Sequence, residues 1–227
     1  MKILSSQVDL IIFDCDGVLV DSEVISCLAH AETLTRHGYP ITLDQVLERF
    51  LGVSDREARQ AIETELGRRL PEDFESQMKQ AALRRYADEL RPIPHLCEAI
   101  AAISLPKCVA SSGTPEKIRH GLTLAGLYDR LAPNIFSASQ VERGKPAPDL
   151  FLFAAGQMLA APARCLVIED SLPGIAAALA AGMTVLGFHG GSHCRPGHGD
   201  RLRAAGAAAI FDDMRQLPGL VARIEAN

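Results

Sequence analysis

The sequence predicts an α/β fold, a doubly wound parallel sheet into which a small all-helical domain is inserted. Short apolar runs without polar alternation, typical of strands buried on both faces, alternate with helical patterns along most of the chain. One long segment instead contains helical patterns and no convincing strand. The 227 residues, 48% hydrophobic and 22% charged, suffice to bury the core of one large or two modest domains.

Six short apolar runs are the strand candidates, and helical patterns follow four of them. The runs lie in "VDLIIFDCDG", "KCVASSG", "NIFSAS", "RCLVIED", "TVLGFHGGS" and "AAIFDDM". The helical patterns cover residues 115–126, 148–160, 173–181 and 213–225. Pro115, Pro148 and Pro173 lie near the starts of three of these patterns, where proline is favoured. Strands that alternate with helices predict a parallel sheet with a Rossmann-like order of elements.

The segment between about residue 22 and residue 90 has a different pattern. It contains four helical stretches, separated by glycine and proline at Gly38, Pro40, Gly52 and Pro71. A helical block directly after the first strand is typical of a second, inserted domain. We therefore expect an α/β core domain of residues 1–20 and 92–227 and a helical domain of residues 21–91.

Charge and composition limit the partners. The formal net charge is -5 and no run of Lys or Arg stands out, so nucleic acid is not an expected partner. No apolar run approaches the roughly 20 residues that a membrane span needs, and no targeting segment is recognised. The six cysteines include no C-x-x-C pair, which favours reduced, buried thiols. We expect a cytoplasmic monomer.

Polar side chains close three of the apolar runs. In a doubly wound sheet, ligands bind beyond the carboxyl ends of the strands, so these side chains are expected to converge. A lysine in "ERGKPAPD" precedes a helix and can reach the same edge. The predicted site residues are Asp14 and Asp16 after the first run, Ser111 after the second, Glu169 and Asp170 after the fourth, and Lys145.

This set of residues suits a phosphoryl group. The candidate ligands are all oxygens, with no His or Cys cluster beside them, and such sites select hard cations, above all Mg²⁺. Lys145, the hydroxyl of Ser111 and the backbone N–H groups of Ser112 and Gly113 are phosphate-binding groups. A carboxylate can attack phosphorus, and a second acid can protonate the leaving oxygen and later activate water. Gly17 permits the turn that two acids at i and i+2 need to divide these tasks.

Four motifs resemble those of the haloacid dehalogenase (HAD) superfamily, in the expected order. They are "DCDGVLVDSE", "ASSGTPEKI", "GKPAPDLFLFAA" and "VIEDSLPGIAAALAAGM", which span residues 14 to 183. The helical insert makes the chain most similar to the phosphatase and β-phosphoglucomutase-like branch, in which a helical cap follows the first strand. The resemblance implies a hydrolase that acts on phosphate monoesters. It also implies Mg²⁺ as cofactor and a small phosphorylated metabolite as substrate, a sugar phosphate or a sugar-acid phosphate.

The resemblance implies a role for each motif residue. Asp14 resembles the nucleophile, which becomes an aspartyl phosphate, and a metal ligand. Asp16 resembles the general acid/base, which gives its backbone carbonyl to the metal. Dehalogenases proper lack this second aspartate, so Asp16 favours phosphoryl transfer.

The remaining roles concern the phosphate, the metal and the cap. Ser111 resembles the phosphate-binding hydroxyl, and Lys145 the lysine that steadies nucleophile and phosphate. Asp170 resembles the last metal ligand, with Glu169 direct or water-mediated. "FLGVSDREA" resembles the cap segment that reaches the active site, which makes Arg56 a candidate for binding a substrate anion.

Each residue also has a simpler interpretation. The D-x-D can be a turn with helix-capping acids, Ser111 an N-cap before Pro115, and Lys145 a solvated loop lysine. Glu169 and Asp170 can merely begin a helix, and Arg56 can be a surface arginine. The "HGGSHCRPGHGD" loop at 189–200 has the composition of a metal site, but its spacing fits no zinc pattern, which favours a flexible Gly-rich rim loop.

Two alternatives to a phosphatase remain. A β-phosphoglucomutase shares Asp14, Asp16 and the cap, but this chain has Ser26 where that family has a histidine and Leu51 where it has a cap lysine. A non-enzymatic receiver also combines acids, a phosphorylated aspartate, Ser or Thr and Lys on a doubly wound sheet. Receivers are about half as long and lack a helical insert.

Overall fold

The structure, a computed structural model, describes residues 8–50, 53 and 55–226. The chain forms two compact units, Met1–Asp21 with Pro92–Asn227 and Ser22–Arg91. The predicted domains differ from these units by one residue, Asp21, and the assignment of the units as a core domain and a cap domain stays a prediction. None of the helices within the described ranges is both long and apolar enough for a membrane span.

The first unit is built on a six-stranded sheet in the order β3-β2-β1-β4-β5-β6, and every neighbouring pair is parallel. The strands are β1 (Leu10–Phe13), β2 (Lys107–Ser111), β3 (Ile135–Ser137), β4 (Cys165–Glu169), β5 (Thr184–Phe188) and β6 (Ala209–Phe211). All six correspond to the predicted apolar runs, and the predicted doubly wound fold is confirmed.

Eleven α-helices occur in the described part of the chain. The helical unit contains α1 (Glu23–Arg36), α2 (Leu43–Arg49), α3 (Asp55–Leu66) and α4 (Phe74–Glu89). The α/β unit contains α5 (Leu96–Ala102), α6 (Pro115–Leu124), α7 (Tyr128–Leu131), α8 (Asp149–Gln157), α9 (Leu172–Ala180), α10 (His198–Ala204) and α11 (Leu217–Glu225). Short 3-10 helices lie at Ala138–Gln140, Pro162–Arg164 and Met214–Gln216.

Burial on both faces explains why the strands lack polar alternation. In β1, Leu10 and Ile12 belong to a core cluster that includes Phe151 of α8 and Ile175 of α9. Ile11 and Phe13 alternate with them along the strand and are also completely buried. A strand covered on both faces is apolar at every position. Polar residues therefore occur only at the end of the strand, where the chain leaves the sheet.

The sequence locates the long helices better than the short ones. Proline occupies the first turn of α6, α9 and α11, where its missing N–H costs no hydrogen bond. The predictions missed α5, α7 and α10, which have seven, four and seven residues. Helices of one or two turns show too little of the 3.6-residue period for a pattern to identify them.

The helical unit has its own core and its own polar network. Leu34, Ile62 and Phe74 lie at the centre of its apolar cluster. The side chain of Arg59 in α3 pairs with Glu75 at 2.8 Å and donates to the backbone oxygen of Leu70 at 2.7 Å. One guanidinium thus ties α3 to the turn before α4 and to the first residues of that helix.

Candidate active site

The carboxyl ends of β1, β2 and β4 bring the predicted residues to one edge of the sheet. The strand order reverses between β1 and β4, because the chain runs outwards from β1 to β3 on one side and from β4 to β6 on the other. A crevice forms at such a switch point. Asp14 follows β1 there and donates its backbone N–H to the oxygen of Ile168 in β4 at 3.0 Å. The first acid of the D-x-D is thus fixed to the neighbouring strand.

Lys145 joins two of the predicted acids. Its Nζ lies 2.5 Å from Asp14 Oδ1 and 2.6 Å from Glu169 Oε1, and its side chain is 5% exposed. The ammonium also lies 4.8 Å from the centre of the Phe151 ring. Burial lowers the pKa of Lys145, but the two carboxylates raise it more, to above its ordinary value. The interpretation of Lys145 as a solvated loop lysine is therefore wrong.

Asp14 is held in an environment that resists its negative charge. The pKa of Asp14 is raised to about 7, mainly by burial; Lys145 lowers this pKa, and the negative charges of Glu169 and Asp16 raise it. The single ammonium of Lys145 does not compensate both Asp14 and Glu169, the two carboxylates that it contacts in the buried cleft. The donor set therefore has the chemistry of a site for an additional hard cation, which would stabilise Asp14 as a carboxylate.

Glu169 uses both of its carboxylate oxygens. Its Oε1 accepts from Lys145, and its Oε2 accepts from the backbone N–H groups of Asp170 and Ser171, both at 2.8 Å, and from Ser171 Oγ at 2.9 Å. A Cβ on Gly174 would lie 1.7 Å from Glu169 Oε1, so only glycine leaves room for this carboxylate against α9. The N-cap of α9 is Ser171, not either acid.

Asp16 pairs with a cation that the sequence analysis did not identify. Lys117, in the first turns of α6, lies 3.0 Å from Asp16 Oδ2. The turn directly after Asp16 begins at Gly17, whose φ is +80°, a conformation that residues other than glycine rarely adopt. A Cβ there would lie 1.9 Å from Asp170 Oδ2, so Gly17 also brings the two motifs into contact.

The last residue of β2, Ser111, carries a buried hydroxyl. Ser111 is 1% exposed, and its Oγ accepts from the backbone N–H of Gly113 at 3.0 Å. Ser137 Oγ donates to the oxygen of Gly113 at 2.6 Å and so fixes the same turn. The N-cap of α6 is Thr114, which accepts from the N–H of Lys117, so the interpretation of Ser111 as an N-cap is wrong.

Two imidazoles lie beside the last acid, and this corrects the expectation that no His or Cys cluster accompanies the carboxylates. His193 Nε2 is 3.0 Å from Asp170 Oδ2, and His198 Nε2 is 2.6 Å from the backbone oxygen of Asp170. Burial lowers the pKa of His198, although its hydrogen bond to Asp170 acts in the opposite direction. The 189–200 segment is therefore not only a rim loop, because two of its histidines are buried in the site.

Comparisons with known proteins place this geometry in a family. A family model described as haloacid dehalogenase-like hydrolase matches residues 8–182, which include every acid of the site. The chain belongs to the haloacid dehalogenase-like hydrolases. The predicted family, and the prediction that the chain is a hydrolase, are confirmed.

Relatives of this hydrolase include both sequences and solved structures. It is 31% identical over 192 residues to a 6-phosphogluconate phosphatase of Escherichia coli, which covers 84% of this chain and 87% of that protein. A haloacid dehalogenase-like protein of unknown function from Agrobacterium tumefaciens has a TM-score of 0.88 at 38% identity, covering 96% of this chain and 99% of that one. A HAD family hydrolase from Deinococcus radiodurans, solved with bound phosphate and sodium, has a TM-score of 0.81 at 30% identity, covering 96% and 97%.

Arg56, a predicted substrate-binding residue, and Ser26, which replaces the histidine of the mutase family, lie in the helical unit of this hydrolase. Arg56 is exposed near the start of α3, and its part in substrate binding stays a prediction. Ser26 in α1 lies 2.7 Å from the hydroxyl of Tyr86 in α4, so it links two helices of that unit. Leu51 lies outside the described residues.

The site also contains residues that motif reasoning missed. Lys117, Ser171, His193 and His198 contact the predicted acids directly. Lys117 and Ser171 lie within the quoted motifs, and their position at a helix start after a strand was the available signal. His193 and His198 lie in the connection that follows β5. The sequence showed that this segment has metal-ligand residue types, but not that its histidines contact Asp170.

Proposed function

We propose that this hydrolase is a Mg²⁺-dependent phosphatase that acts on a small phosphorylated metabolite through an aspartyl phosphate on Asp14. The observation that carries the proposal is the contact of buried Lys145 with both Asp14 and Glu169 at the switch point of the sheet. That contact orients Asp14 in a chain whose relatives include a sugar-acid phosphatase. A carboxylate fixed beside an ammonium can attack a phosphoryl group without the usual repulsion between anions.

Asp14, Asp170 and the backbone carbonyl of Asp16 are the proposed metal ligands. Glu169 would act through a water molecule, because its two oxygens already accept four hydrogen bonds. Oxygen donors on buried acids suit Mg²⁺ better than a softer metal. When bound, Mg²⁺ supplies positive charge that offsets the charge of the phosphoryl group and of the attacking carboxylate.

The phosphate would be held by groups of this chain. The hydroxyl of Ser111, the backbone N–H groups of Ser112 and Gly113, and Lys145 are the proposed phosphate contacts. Gly113 N–H donates to Ser111 Oγ in the structure, so this turn would exchange an internal hydrogen bond for one to the phosphate. Oxygen atoms of an anion suit donors of this kind at a helix start.

Asp16 is the proposed general acid and base. Protonated, it gives its proton to the leaving oxygen as Asp14 bonds to phosphorus; ionised, it accepts a proton from the water that cleaves the aspartyl phosphate. Lys117 at 3.0 Å stabilises the ionised form of Asp16 that the second step needs. The two acids at i and i+2 thus divide attack and proton transfer between them.

A sugar phosphate or sugar-acid phosphate is the proposed substrate, with Arg56 as a candidate for an anionic group on it. The E. coli relative, a 6-phosphogluconate phosphatase, supports a sugar-acid phosphate. The mutase alternative has no support from the helical unit, because the position of that family's histidine holds Ser26, bonded to Tyr86. The alternative of a non-enzymatic receiver is not supported either, because the chain belongs to a family of hydrolases. Mg²⁺ dependence, a monomeric state and a cytoplasmic location stay predictions.

Replacing the proposed nucleophile tests the mechanism. Asp14→Asn keeps the shape of the side chain but removes the attacking carboxylate, so turnover of p-nitrophenyl phosphate with Mg²⁺ should fall by about 10³-fold or more. Asp129→Asn changes an exposed aspartate in α7 and should leave turnover unchanged. Retained Mg²⁺-dependent turnover in Asp14→Asn would show that Asp14 is not the nucleophile.

A second experiment identifies the substrate. Phosphate release is measured with a panel of phosphorylated sugars and sugar acids, and the substrates are ranked by kcat/KM.

A further inference from the structure

The segment between β5 and α10 reaches across the sheet edge to Asp170. His193 and Asp170 form a contact of 3.0 Å between side chains that are 3% and 6% exposed. His198, the first residue of α10, contacts the backbone oxygen of the same aspartate at 2.6 Å. One residue is therefore held at its carboxylate and at its carbonyl by two buried rings from another part of the chain.

We propose that His193 and His198 are positioning residues for the metal site, which orient Asp170 through these two hydrogen bonds. The inference rests on the proposed function, in which Asp170 is a metal ligand. Groups that hydrogen-bond a metal-ligating side chain fix its direction, and their loss typically weakens metal binding by about 10–100-fold.

The partners of the two rings assign their protons. A backbone carbonyl only accepts, so His198 Nε2 carries a hydrogen and donates it to Asp170. Arg201 only donates, and its Nη2 lies 3.2 Å from His198 Nδ1, which therefore accepts. Arg201 thus fixes the tautomer of His198 that Asp170 requires. His193 likewise donates from Nε2 to the carboxylate of Asp170.

Two glycines confine the ring of His193. A Cβ on Gly17 would lie 2.9 Å from its Cε1, and a Cβ on Gly191 would lie 2.8 Å from its Nδ1. Asp21 Oδ1 accepts from the N–H and the hydroxyl of Ser192, at 3.0 and 2.8 Å, which ties the loop to the segment after the D-x-D. The ring is therefore held against Asp170 by backbone and has little freedom to turn away.

His193, Cys194 and His198 together have the residue types of a soft-metal site, but the hydrogen bonds of the two histidines disfavour metal binding there. Single ligand atoms of His193, Cys194 and His198 lie within 4.8 Å of one another, and Cys194 Sγ is 3.4 Å from His193 Nε2. However, the Nε2 atoms of both rings are directed to Asp170, and His198 Nδ1 faces a guanidinium. A zinc ion bound through Nε2 would replace the two bonds that hold Asp170.

Variants of His193 with different reach test the inference. His193→Gln keeps an N–H at the position of Nε2, whereas His193→Asn has one only near Nδ1, and His193→Leu has none. Mg²⁺ binding to the substrate-free full chain is measured by calorimetry, and Mn²⁺ binding by electron paramagnetic resonance. We expect the dissociation constants of His193→Leu, His193→Asn and His198→Leu to rise by about 10–100-fold, and that of His193→Gln to stay within a few fold of wild type.

Kinetics separate positioning from a general structural defect. The Mg²⁺ concentration for half-maximal activity should rise in His193→Leu and His193→Asn, while kcat at saturating Mg²⁺ changes only a few fold. His120→Leu, which changes an exposed histidine on α6, should match wild type in both measurements. If His193→Leu fails to fold, the pair of His193→Gln and His193→Asn, which are both polar and similar in size, still gives the comparison.

Three results would overturn the inference or what it rests on. Mg²⁺ affinities of His193→Asn and His198→Leu equal to that of wild type, while Asp170→Asn is weakened, would refute only the positioning role. Equal affinities of wild type and Asp170→Asn would refute the metal ligands of the proposed function instead. A Co²⁺ complex with thiolate absorption that disappears in Cys194→Ser, in His193→Asn and in His198→Leu would make the imidazoles metal ligands and so refute the positioning role.

Discussion

At the scale of single residues, the site depends on the position of a glycine, Gly17, as much as on the positions of its acids. Gly17 combines a φ of +80° with a position at which a Cβ would lie 1.9 Å from Asp170 Oδ2, and only glycine satisfies both demands. Cys15, between the two aspartates, is buried, and burial raises the pKa of its thiol, so it stays neutral and apolar. The D-x-D-G pattern is thus explained residue by residue.

Gly17→Ala should abolish most of the activity. The added Cβ would lie 1.9 Å from Asp170 Oδ2, so the carboxylate must move, and a shift of about 1 Å in such a group costs about 10²-fold in rate. The measurement is kcat/KM with p-nitrophenyl phosphate, together with the free energy of unfolding in urea.

Gly126→Ala provides the matched control for the backbone strain. Gly126 also has a positive φ, +69°, but a Cβ there meets nothing within 4 Å. Both variants should lose about 1–2 kcal/mol of stability from the left-handed conformation. Only Gly17→Ala should lose activity, and equal kinetic losses in the two variants would contradict the proposed clash.

At the scale of elements, residues at the starts of two helices contact the acids that follow the strands. α6 follows β2 and supplies Lys117 to Asp16. Between β4 and α9, the N–H groups of Asp170 and of the N-cap residue Ser171 donate to Glu169. Both helices begin with an N-cap side chain, Thr114 or Ser171, and carry proline in the first turn. A strand, a short polar turn and a capped helix are therefore the repeating unit of the site.

Gly174→Ala should damage the site from within a helix. The Cβ would lie 1.7 Å from Glu169 Oε1, which would displace Glu169 from Lys145. We expect a fall of about 10–100-fold in kcat/KM, the effect typical of groups behind a metal ligand, and a lower stability.

Gly156→Ala, in α8, is the matched change in an open position. A Cβ there meets nothing within 4 Å, so the higher helix propensity of alanine should raise stability by up to about 1 kcal/mol without changing the rate. The test is thermal unfolding and kcat/KM of both variants. A stabilised, fully active Gly174→Ala enzyme would show that Glu169 does not occupy the described position.

At the scale of the whole molecule, the strand order gathers charges that are far apart in the sequence. Asp14 and Lys145 are 131 residues apart, and Lys117 and Asp16 are 101 residues apart, yet each pair is in direct contact. The α/β unit thereby concentrates acids whose mutual repulsion opposes folding unless cations offset it. Its stability should therefore depend on Mg²⁺.

Mg²⁺ should raise the melting temperature, and chelation with EDTA should lower it. A ligand that binds only the folded protein stabilises it by about 2.7 kcal/mol at a concentration of 100 Kd, which corresponds to several degrees for a chain of this length. The melt is followed by circular dichroism at constant ionic strength, with NaCl in the reference. Asp170→Asn should show a much smaller shift, and an equal shift would point to non-specific ion binding.

The division of the chain into strands, long helices and a helical insert follows from the sequence, because each depends on local hydrophobic period and on Gly and Pro. The acids, Ser111 and Lys145 were predictable as a set, since parallel strands end at one edge of the sheet. The contact of Lys145 with Asp14 and Glu169 needed the structure, because it depends on how an irregular loop returns to the sheet.

The family motifs, the six strands and the chemistry open to a set of oxygen ligands, a lysine and a serine are all visible in the amino-acid sequence. The contact of Lys117 with Asp16, the hydrogen bond of Glu169 to the N-cap residue of α9, and the contacts of His193 and His198 with Asp170 are visible only in the folded chain. A hydrogen bond forms only within a few tenths of an ångström of its preferred length, and spacing along a sequence does not fix distances that closely. Composition and spacing place a residue at an edge of the sheet, whereas packing of loops from distant strands selects the atom that it contacts.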